Sequence, residues 1–402
     1  MNWNNFQKSL KSLFLNLLMV GLSFFVMLLL AEGVLRFLYD EVDYLKPKLV
    51  FDAKLGDKIS PYSSGHDSLG FRNQTIPNNA DILTLGDSQT YGVNARAFNS
   101  WPEQLQKISG RDVYNMALGG FGPLQYYHIL EEEGLKLNPD FVIVGYYLGN
   151  DLLDTFTDVY VELPYWDYLK DPDYNTVHEA NPRTGEWGSQ TTNTSKDKLF
   201  NVSKSVQSLR IWLGSNSVLY RMIGFQISKI AYQYESDVIL PARPDVSLLY
   251  YESSKPNIAF RPNYRLQAID LEISEVLEGM RINNDLFKAI NNLATQNDIT
   301  LLIVLIPTKE SVFAKEIRED SQLKNRDTLL KLIAAEDSVL EKTTAFFDSN
   351  NINYISALPE MQKKIDSLLL YPSNLDGHPN QFGYEVIARE VNDWINQNQN
   401  ID

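Results

Sequence analysis

The chain of 402 residues contains no cysteine and only four histidines. The absence of cysteine excludes disulfides, thiolate metal sites and cysteine nucleophiles, and it leaves the redox compartment open. Positive charge is also scarce, because 36 basic residues face 51 acidic ones and the formal net charge is −15. An acidic chain without a Lys/Arg-rich stripe repels phosphate backbones, so nucleic acid is not an expected partner.

A single long apolar run stands near the N-terminus. It covers 19 residues, 13–31, and is interrupted only by two polar residues and a glycine. At about 1.5 Å per residue it rises about 28 Å, close to the ~30 Å of a bilayer core. Two lysines precede the run and several acidic residues follow it. We therefore predict a single-pass transmembrane anchor over residues 13–35, with residues 1–12 cytoplasmic and the remainder on the exported, periplasmic or extracellular side.

Two other interpretations of this run remain. A cleaved signal peptide is one, but the run exceeds the usual apolar length of such peptides, which favours an uncleaved anchor. A buried core helix is the other. Glu32 and Arg36, four residues apart at the end of the run, predict an ion pair at the membrane edge. A role of this pair in docking a membrane partner is a further possibility.

The rest of the chain divides by pattern. Residues 36–80 are mixed and turn-rich, which predicts a linker leading into a domain. Short apolar runs then alternate with amphipathic stretches in residues 81–151 and 271–402. Strands are predicted at 82–85, 113–115, 141–147, 299–307 and 351–355, with helices that include 101–108, 124–134 and 383–396. Such alternation indicates a parallel sheet with helices on both faces.

Residues 152–270 interrupt this alternation with an aromatic, proline-bearing stretch that has no clear period. They predict an insertion or cap. Within them, "DPDYNTVHE" offers the calcium-loop residues Asp171, Asp173 and Asn175. The loop's sixth position is Thr176 instead of glycine and its twelfth is Pro182 instead of glutamate, so no calcium site is expected. No other metal and no cofactor is expected.

The stretch "ILTLGDSQTYG", residues 82–92, places Ser88 directly after a predicted strand. Open α/β sheets bind their ligands at this edge, so Ser88 is a candidate nucleophile; a capping serine in a plain turn is the alternative. A base is then required. His66 lies in the linker, His128 in a helix where a structural role is expected, and His178 in the insertion.

His378 is the remaining histidine, and it lies in "LDGHPNQFGY", two residues after Asp376 and just before the last helix. A nearby carboxylate can fix the imidazole tautomer and leave the other ring nitrogen for a hydroxyl. Ser88, Asp376 and His378 thus provide the residue types of a serine-hydrolase triad. A turn with a capping aspartate is the alternative for "DGH".

Acyl transfer also needs donors for the developing oxyanion. Two loops that follow predicted strands offer them: "NMALGGFG", residues 115–122, and "LGND", residues 148–151, which supplies the Asn150 amide. Glycine and asparagine are common in ordinary turns, which is the alternative. The ends of three successive strands nevertheless converge on one edge of a parallel sheet.

These four blocks resemble those of the SGNH hydrolases, also called the GDSL lipase/esterase family. "SLGFRN", residues 68–73, resembles the lead-in of its membrane-anchored bacterial members. The resemblance implies a flavodoxin-like three-layer α/β/α fold, with Ser88 as nucleophile and the Ser88 N–H, the Gly120 N–H and the Asn150 amide as oxyanion hole. Three departures are Gln89 in place of the usual leucine, Leu148 in place of the glycine two residues before Asn150, and the single residue that separates Asp376 from His378.

The function that the resemblance implies is a serine esterase, with an O-acyl group, acetyl above all, on a glycan or lipid as substrate. The alternative is a membrane-tethered O-acyltransferase that uses the same triad with a membrane-embedded acyl-donor protein. A non-catalytic binding or assembly protein on the same scaffold is the third possibility. Lys309, which follows a predicted strand, is expected to be solvated; a position lining the site is the alternative.

Overall fold

The computed structural model describes residues 3–174, 204–250 and 257–398. The strands are β1 Leu49–Asp52, β2 Gly56–Ile59, β3 Ile82–Gly86, β4 Val113–Asn115, β5 Phe141–Tyr147, β6 Ser247–Leu249, β7 Ile258–Phe260, β8 Thr300–Ile306 and β9 Tyr354–Ser356. The first helices are α1 Trp3–Leu38, α2 Glu41–Tyr44, α3 Ser88–Tyr91, α4 Trp101–Ser109, α5 Pro123–Glu132, α6 Asp151–Thr157, α7 Lys204–Asn216 and α8 Val218–Tyr234. The others are α9 Leu240–Ala242, α10 Pro262–Ile269, α11 Ser274–Gln296, α12 Lys309–Val312, α13 Ala314–Glu319, α14 Arg326–Ser349, α15 Leu358–Lys364 and α16 Gln381–Asn398.

The central sheet has five parallel strands in the order β4-β3-β5-β8-β9. Numbered along the chain within this sheet, the order is 2-1-3-4-5, which is that of flavodoxin-like folds. The predicted three-layer α/β/α architecture is therefore confirmed. β3 and β5 are fully buried, and only the first residue of β8 is exposed, which explains why their sequences are nearly continuous apolar runs.

The two faces of the sheet carry separate cores. Val142 and Val144 of β5 point into one core with α5 and α11, whereas Ile143 points into the other with α4 and α16. This alternation follows from the two-residue period of a strand. Each fully buried large aliphatic side chain contributes roughly 1.5–3 kcal/mol, so both helix layers are held firmly to the sheet.

Two glycines let the strand ends approach α3. Gly86 and Gly145 are paired in register across β3 and β5. A Cβ atom added at either would lie 2.1 or 2.2 Å from Oγ1 of Thr90. Since Thr90 is fully buried, a larger residue at these positions would push α3 away from the sheet. The glycines therefore fix where Ser88, the first residue of α3, stands.

The sequence missed some local structure. The segment predicted as a plain linker carries α2 and the antiparallel β1–β2 hairpin, and it contributes a buried ion pair of 2.9 Å between Arg72 and Asp43. The helix predicted over 124–134 ends at Glu132 and continues as a 3-10 turn over Gly134–Leu137. The strand predicted over 351–355 lies at Tyr354–Ser356, because Asn351 has a positive φ and belongs to a turn.

The region predicted as an aromatic insertion contains α6 to α10 and the small β6–β7 hairpin among its described residues. The sequence resembling a calcium loop is only partly described. Asp171 accepts a hydrogen bond of 2.9 Å from the backbone N–H of Asp173. Asn175, Thr176 and Pro182 lie outside the described residues. At the other end of the chain, residues Gln7–Leu38 of α1 form a helix long and apolar enough to cross a membrane, with none of its most apolar window buried.

Candidate active site

Ser88 occupies the turn that joins β3 to α3. Asp87 is the N-cap of α3, and its Oδ1 accepts a hydrogen bond of 2.8 Å from the backbone N–H of Gln89. At the other end of this short helix, the buried Arg72 donates to the carbonyls of Tyr91 and Gly92 at 3.1 and 3.0 Å. A cation at a helix C-terminus is favourable. Arg72, from the "SLGFRN" lead-in, therefore helps to hold the helix that begins with Ser88.

His378 lies between Asp376 and Ser88. Its Nδ1 is 2.6 Å from Oδ1 of Asp376, and its Nε2 is 2.7 Å from Oγ of Ser88. The backbone N–H of His378 donates to the same Asp376 oxygen at 3.0 Å. Residues separated by 290 positions along the chain are thus joined in one line of hydrogen bonds.

The charge on Asp376 fixes the direction of these hydrogen bonds. Burial alone would raise the pKa of Asp376, but the hydrogen bond and positive charge of His378 hold it at about 2. An ionised carboxylate only accepts, so Nδ1 of His378 carries a hydrogen. In the neutral imidazole Nε2 then accepts, and the Ser88 hydroxyl donates to it. This arrangement can draw the proton from Ser88.

Asp87 is a second carboxyl group beside the serine. Its Oδ2 lies 3.2 Å from Oγ of Ser88, longer than the distance from that Oγ to His378. Burial raises the pKa of Asp87 to about 6, although the Gln89 N–H and His378 favour its ionised form. The Ser88 hydroxyl therefore has two acceptors within reach, of which Nε2 of His378 is the nearer.

The two predicted oxyanion residues follow β4 and β5, the neighbours of β3. Gly120 has a φ of +84°, a conformation that glycine adopts without strain. Asn150 is the N-cap residue of α6, and its Nδ2 donates to Oδ2 of Asp154 at 2.7 Å. A side-chain amide has two hydrogens, so a second remains for a ligand. Asp154, four residues later on the same helix, thus orients the amide, and sequence spacing could have indicated it.

Lys309 was predicted to be solvated, but the structure buries it. It is 2% exposed, and its Nζ donates to the carbonyls of Asn374 at 2.6 Å, Asp376 at 3.1 Å and Pro372 at 3.4 Å. The three acceptors belong to the loop that carries Asp376 and His378. Lys309 begins α12 at the carboxyl end of β8, so it ties this loop to the sheet. A buried ammonium requires such acceptors.

Sequence reasoning missed Arg265, which lies on α10 in the stretch without periodicity. Its Nη1 donates to the carbonyl of Gly149 at 2.9 Å, and its Nη2 is 3.3 Å from the position of a Cβ added at Gly377. Arg265 therefore holds the Asn150 loop and lies beside the His378 loop. With Lys309 it also lines a cavity of about 50 Å³ beside Gly377.

The other two described histidines, His66 and His128, have partners outside this arrangement. His66 is buried and lies 2.9 Å from the Tyr91 hydroxyl, and His178 falls outside the described residues. His128 packs edge-on against Trp166, which fits the predicted structural role. Its ring nitrogen and the exposed carboxylates of Glu131 and Glu132 lie within 4.8 Å of one another, but Tyr127 already donates to Glu131, and nothing else at this place indicates an ion.

Comparison with known proteins finds similar solved structures. A GDSL-like lipase from Bacteroides thetaiotaomicron is 10% identical over 79% of this chain and 87% of its own, with a TM-score of 0.31. An esterase from Pseudoalteromonas sp. inhibited by monoethylphosphonate is 9% identical over 81% and 100%, with a TM-score of 0.34. A catalytic mutant of an acetylxylan esterase from Geobacillus stearothermophilus is 12% identical over 79% and 94%, with a TM-score of 0.34. No protein-family model and no curated protein matches the chain. What the site can do follows from its own side chains.

Proposed function

We propose that the chain is a serine ester hydrolase that removes an O-acyl group, acetyl above all, from a glycan or lipid. The observation that carries this proposal is the hydrogen-bonded line from Asp376 through His378 to Ser88. A capping serine or a turn aspartate explains neither the 2.7 Å contact across the chain nor the orientation of the imidazole. The three groups together have the geometry that activates a hydroxyl.

The reaction follows from this geometry. Oγ of Ser88 attacks the ester carbonyl while its proton passes to Nε2 of His378, and Asp376 stabilises the imidazolium. The Ser88 N–H, the Gly120 N–H and the Asn150 amide are assigned to the developing oxyanion. His378 then gives its proton to the leaving alcohol oxygen. A water molecule attacks the acyl-serine in the same way, which releases the acid and restores Ser88.

A second candidate is transfer of the acyl group to a sugar hydroxyl instead of water. The observation that favours it is the link between α1 and the site: the end of α1 is hydrogen-bonded to α8, and Tyr232 of α8 accepts from Asn374 in the loop of Asp376 at 2.8 Å. A site held close to a membrane helix suits an acyl donor embedded in the membrane. We propose accordingly that α1 anchors the chain with its N-terminus cytoplasmic and the site on the exported side.

The test uses the full chain in detergent micelles with p-nitrophenyl acetate and longer esters. Release of p-nitrophenol should persist in Ser349→Ala, which alters an exposed serine, and disappear in Ser88→Ala. Mass spectrometry after a fluorophosphonate inhibitor should show one adduct, at Ser88. Equal turnover in Ser88→Ala and wild type would contradict the proposal.

The same assay separates hydrolysis from transfer. Steady turnover in water alone supports the hydrolase. A burst equal to the amount of enzyme, followed by turnover only after a sugar acceptor is added, supports the transferase.

A further inference from the structure

α8 carries an exposed apolar stripe. Ile223, Ile227, Ile230 and Tyr234 are between 51% and 75% exposed, and their spacing of i, i+4, i+7 and i+11 places them on one face of the helix. The opposite face contacts the body of the molecule: Phe225 packs edge-on against Tyr44, with ring centroids 6.0 Å apart, and Tyr232 contacts Asn374. The stripe therefore points away from the body of the molecule.

The start of α8 is fixed to the end of α1. Glu32 accepts hydrogen bonds of 2.9 Å from the backbone N–H groups of Val218 and Leu219 and from the Ser217 hydroxyl. It thereby caps the N-terminus of α8. Glu32 is the first charged residue after the apolar run of α1. If α1 crosses a membrane, α8 consequently begins at the membrane–water boundary.

The structure also shows the partners of the predicted ion pair between Glu32 and Arg36. Arg36 does pair with Glu32 at 2.8 Å, but both side chains also reach the junction of α7 and α8: Glu32 caps α8, and Arg36 donates to the carbonyl of Asn216, the last residue of α7, at 2.6 Å. The pair therefore joins two parts of this chain.

The charge of this region is opposite to that of the whole chain. Residues 206–234 contain Arg210, Arg221 and Lys229 and no acidic residue, although the net charge of the chain is −15. Lys46 joins them, since its backbone N–H donates to the carbonyl of Gly214 at 3.0 Å. The acidic residues Glu235 and Asp237 come only after the stripe has ended. Arg221 is turned toward the opposite face, because its Nε donates to the carbonyl of Tyr44 at 2.8 Å. Lys229, which is exposed and lies between Ile227 and Ile230 in the sequence, is the basic residue of α8 that suits a surface of anionic lipid headgroups.

We propose that the stripe of α8 lies in the interfacial region of the bilayer that α1 crosses, with Lys229 at anionic lipid headgroups. The proposal rests on the membrane anchoring proposed above. Continuity with α1 and the local positive charge favour a bilayer over a second copy of this acidic chain. Trp212 of α7, 58% exposed, is a residue type enriched at membrane interfaces. The opposite face of α8 then holds the Asp376 loop close to the membrane surface.

The absence of cysteine allows a direct test. Single variants Ile227→Cys and Ile230→Cys in the full chain are labelled with an environment-sensitive fluorophore and reconstituted into vesicles that contain nitroxide-labelled lipids. Ser228→Cys is the matched control, because Ser228 is exposed on another face of the same helix. Phe25→Cys reports whether α1 is inserted. Vesicles of phosphatidylcholine alone are compared with equal mixtures of phosphatidylcholine and phosphatidylglycerol.

We expect lipid quenching at positions 227 and 230 to exceed clearly the quenching at position 228. We also expect it to increase with phosphatidylglycerol. Three results overturn the proposal: equal quenching at all three positions of α8, a blue-shifted label at 227 without lipid quenching, which indicates a protein partner, or no quenching at Phe25→Cys. Ester turnover by the same samples is measured separately, so failure of the membrane proposal is distinguishable from failure of the proposed enzymatic function.

Discussion

Nζ of Lys309 donates a hydrogen bond to the main-chain carbonyl of Asp376 at 3.1 Å. The contact joins the carboxyl end of β8 to the loop that carries Asp376 and His378. It shows that the sheet positions Asp376 and His378 through a buried ammonium, while Ser88 is positioned by the end of β3. Ser88 and the Asp376–His378 loop are therefore both positioned by the same sheet. Substitutions at either place can test their alignment.

Lys309→Met should lower kcat about tenfold or more with little change in KM. The substitution keeps most of the side-chain volume but leaves three loop carbonyls without their donor, and small misplacement of catalytic groups is costly. Steady-state kinetics with p-nitrophenyl acetate measure the effect. Lys331→Met, at an exposed lysine of α14, is the control. A rise in KM alone would show that Lys309 does not act through the position of His378.

Asp376→Asn should reduce kcat by about 10³–10⁴, because the amide no longer enforces the tautomer that leaves Nε2 free. With a pKa of about 2, Asp376 is ionised throughout the working range, so its own titration does not shape the wild-type pH profile. In the variant the imidazolium lacks its counter-charge, and the acid limb of kcat/KM should move to lower pH. Asp327→Asn, at an exposed aspartate, should leave the profile unchanged.

Asn150→Ala should lower kcat by about 10²–10³ with a small effect on KM, since an oxyanion donor acts mainly in the transition state. Asp154→Ala should produce a smaller loss in the same parameter because it releases the amide without removing it. Asn297→Ala changes an exposed asparagine and serves as control. If kcat in Asn150→Ala equals that of wild type, the oxyanion assignment is wrong.

Glu336→Gln should alter how stability depends on pH. Burial raises the pKa of Glu336 to about 7, although hydrogen bonds from Ser311 and Thr308 favour the ionised form. The folded state thus prefers protonated Glu336; this contribution is complete below the unfolded pKa of 4.5 and is lost as pH rises through about 7. As pH rises, the free energy of unfolding of the wild type should therefore fall by up to about 3 kcal/mol relative to that of the variant.

The measurement is the difference in melting temperature between Glu336→Gln and wild type, taken at about pH 5 and about pH 8. The difference should move in favour of the variant at the higher pH. Glu341→Gln, at an exposed glutamate of α14, should show a constant difference. A constant difference for Glu336→Gln as well would mean that Glu336 is ionised at both pH values.

The sequence by itself determined the parallel sheet, since buried strands such as β5 need continuous apolar runs, and it named Ser88, Asp376 and His378 because few residue types can form such a site. It could not place Lys309 or Arg265. Whether a basic side chain is solvated depends on carbonyls that lie far away in the sequence, and Arg265 sits in a stretch without periodicity. The same holds for Glu32, whose partners at the start of α8 are about 185 residues away. Local pattern decides strands and helices, whereas only the packed chain decides which distant groups meet.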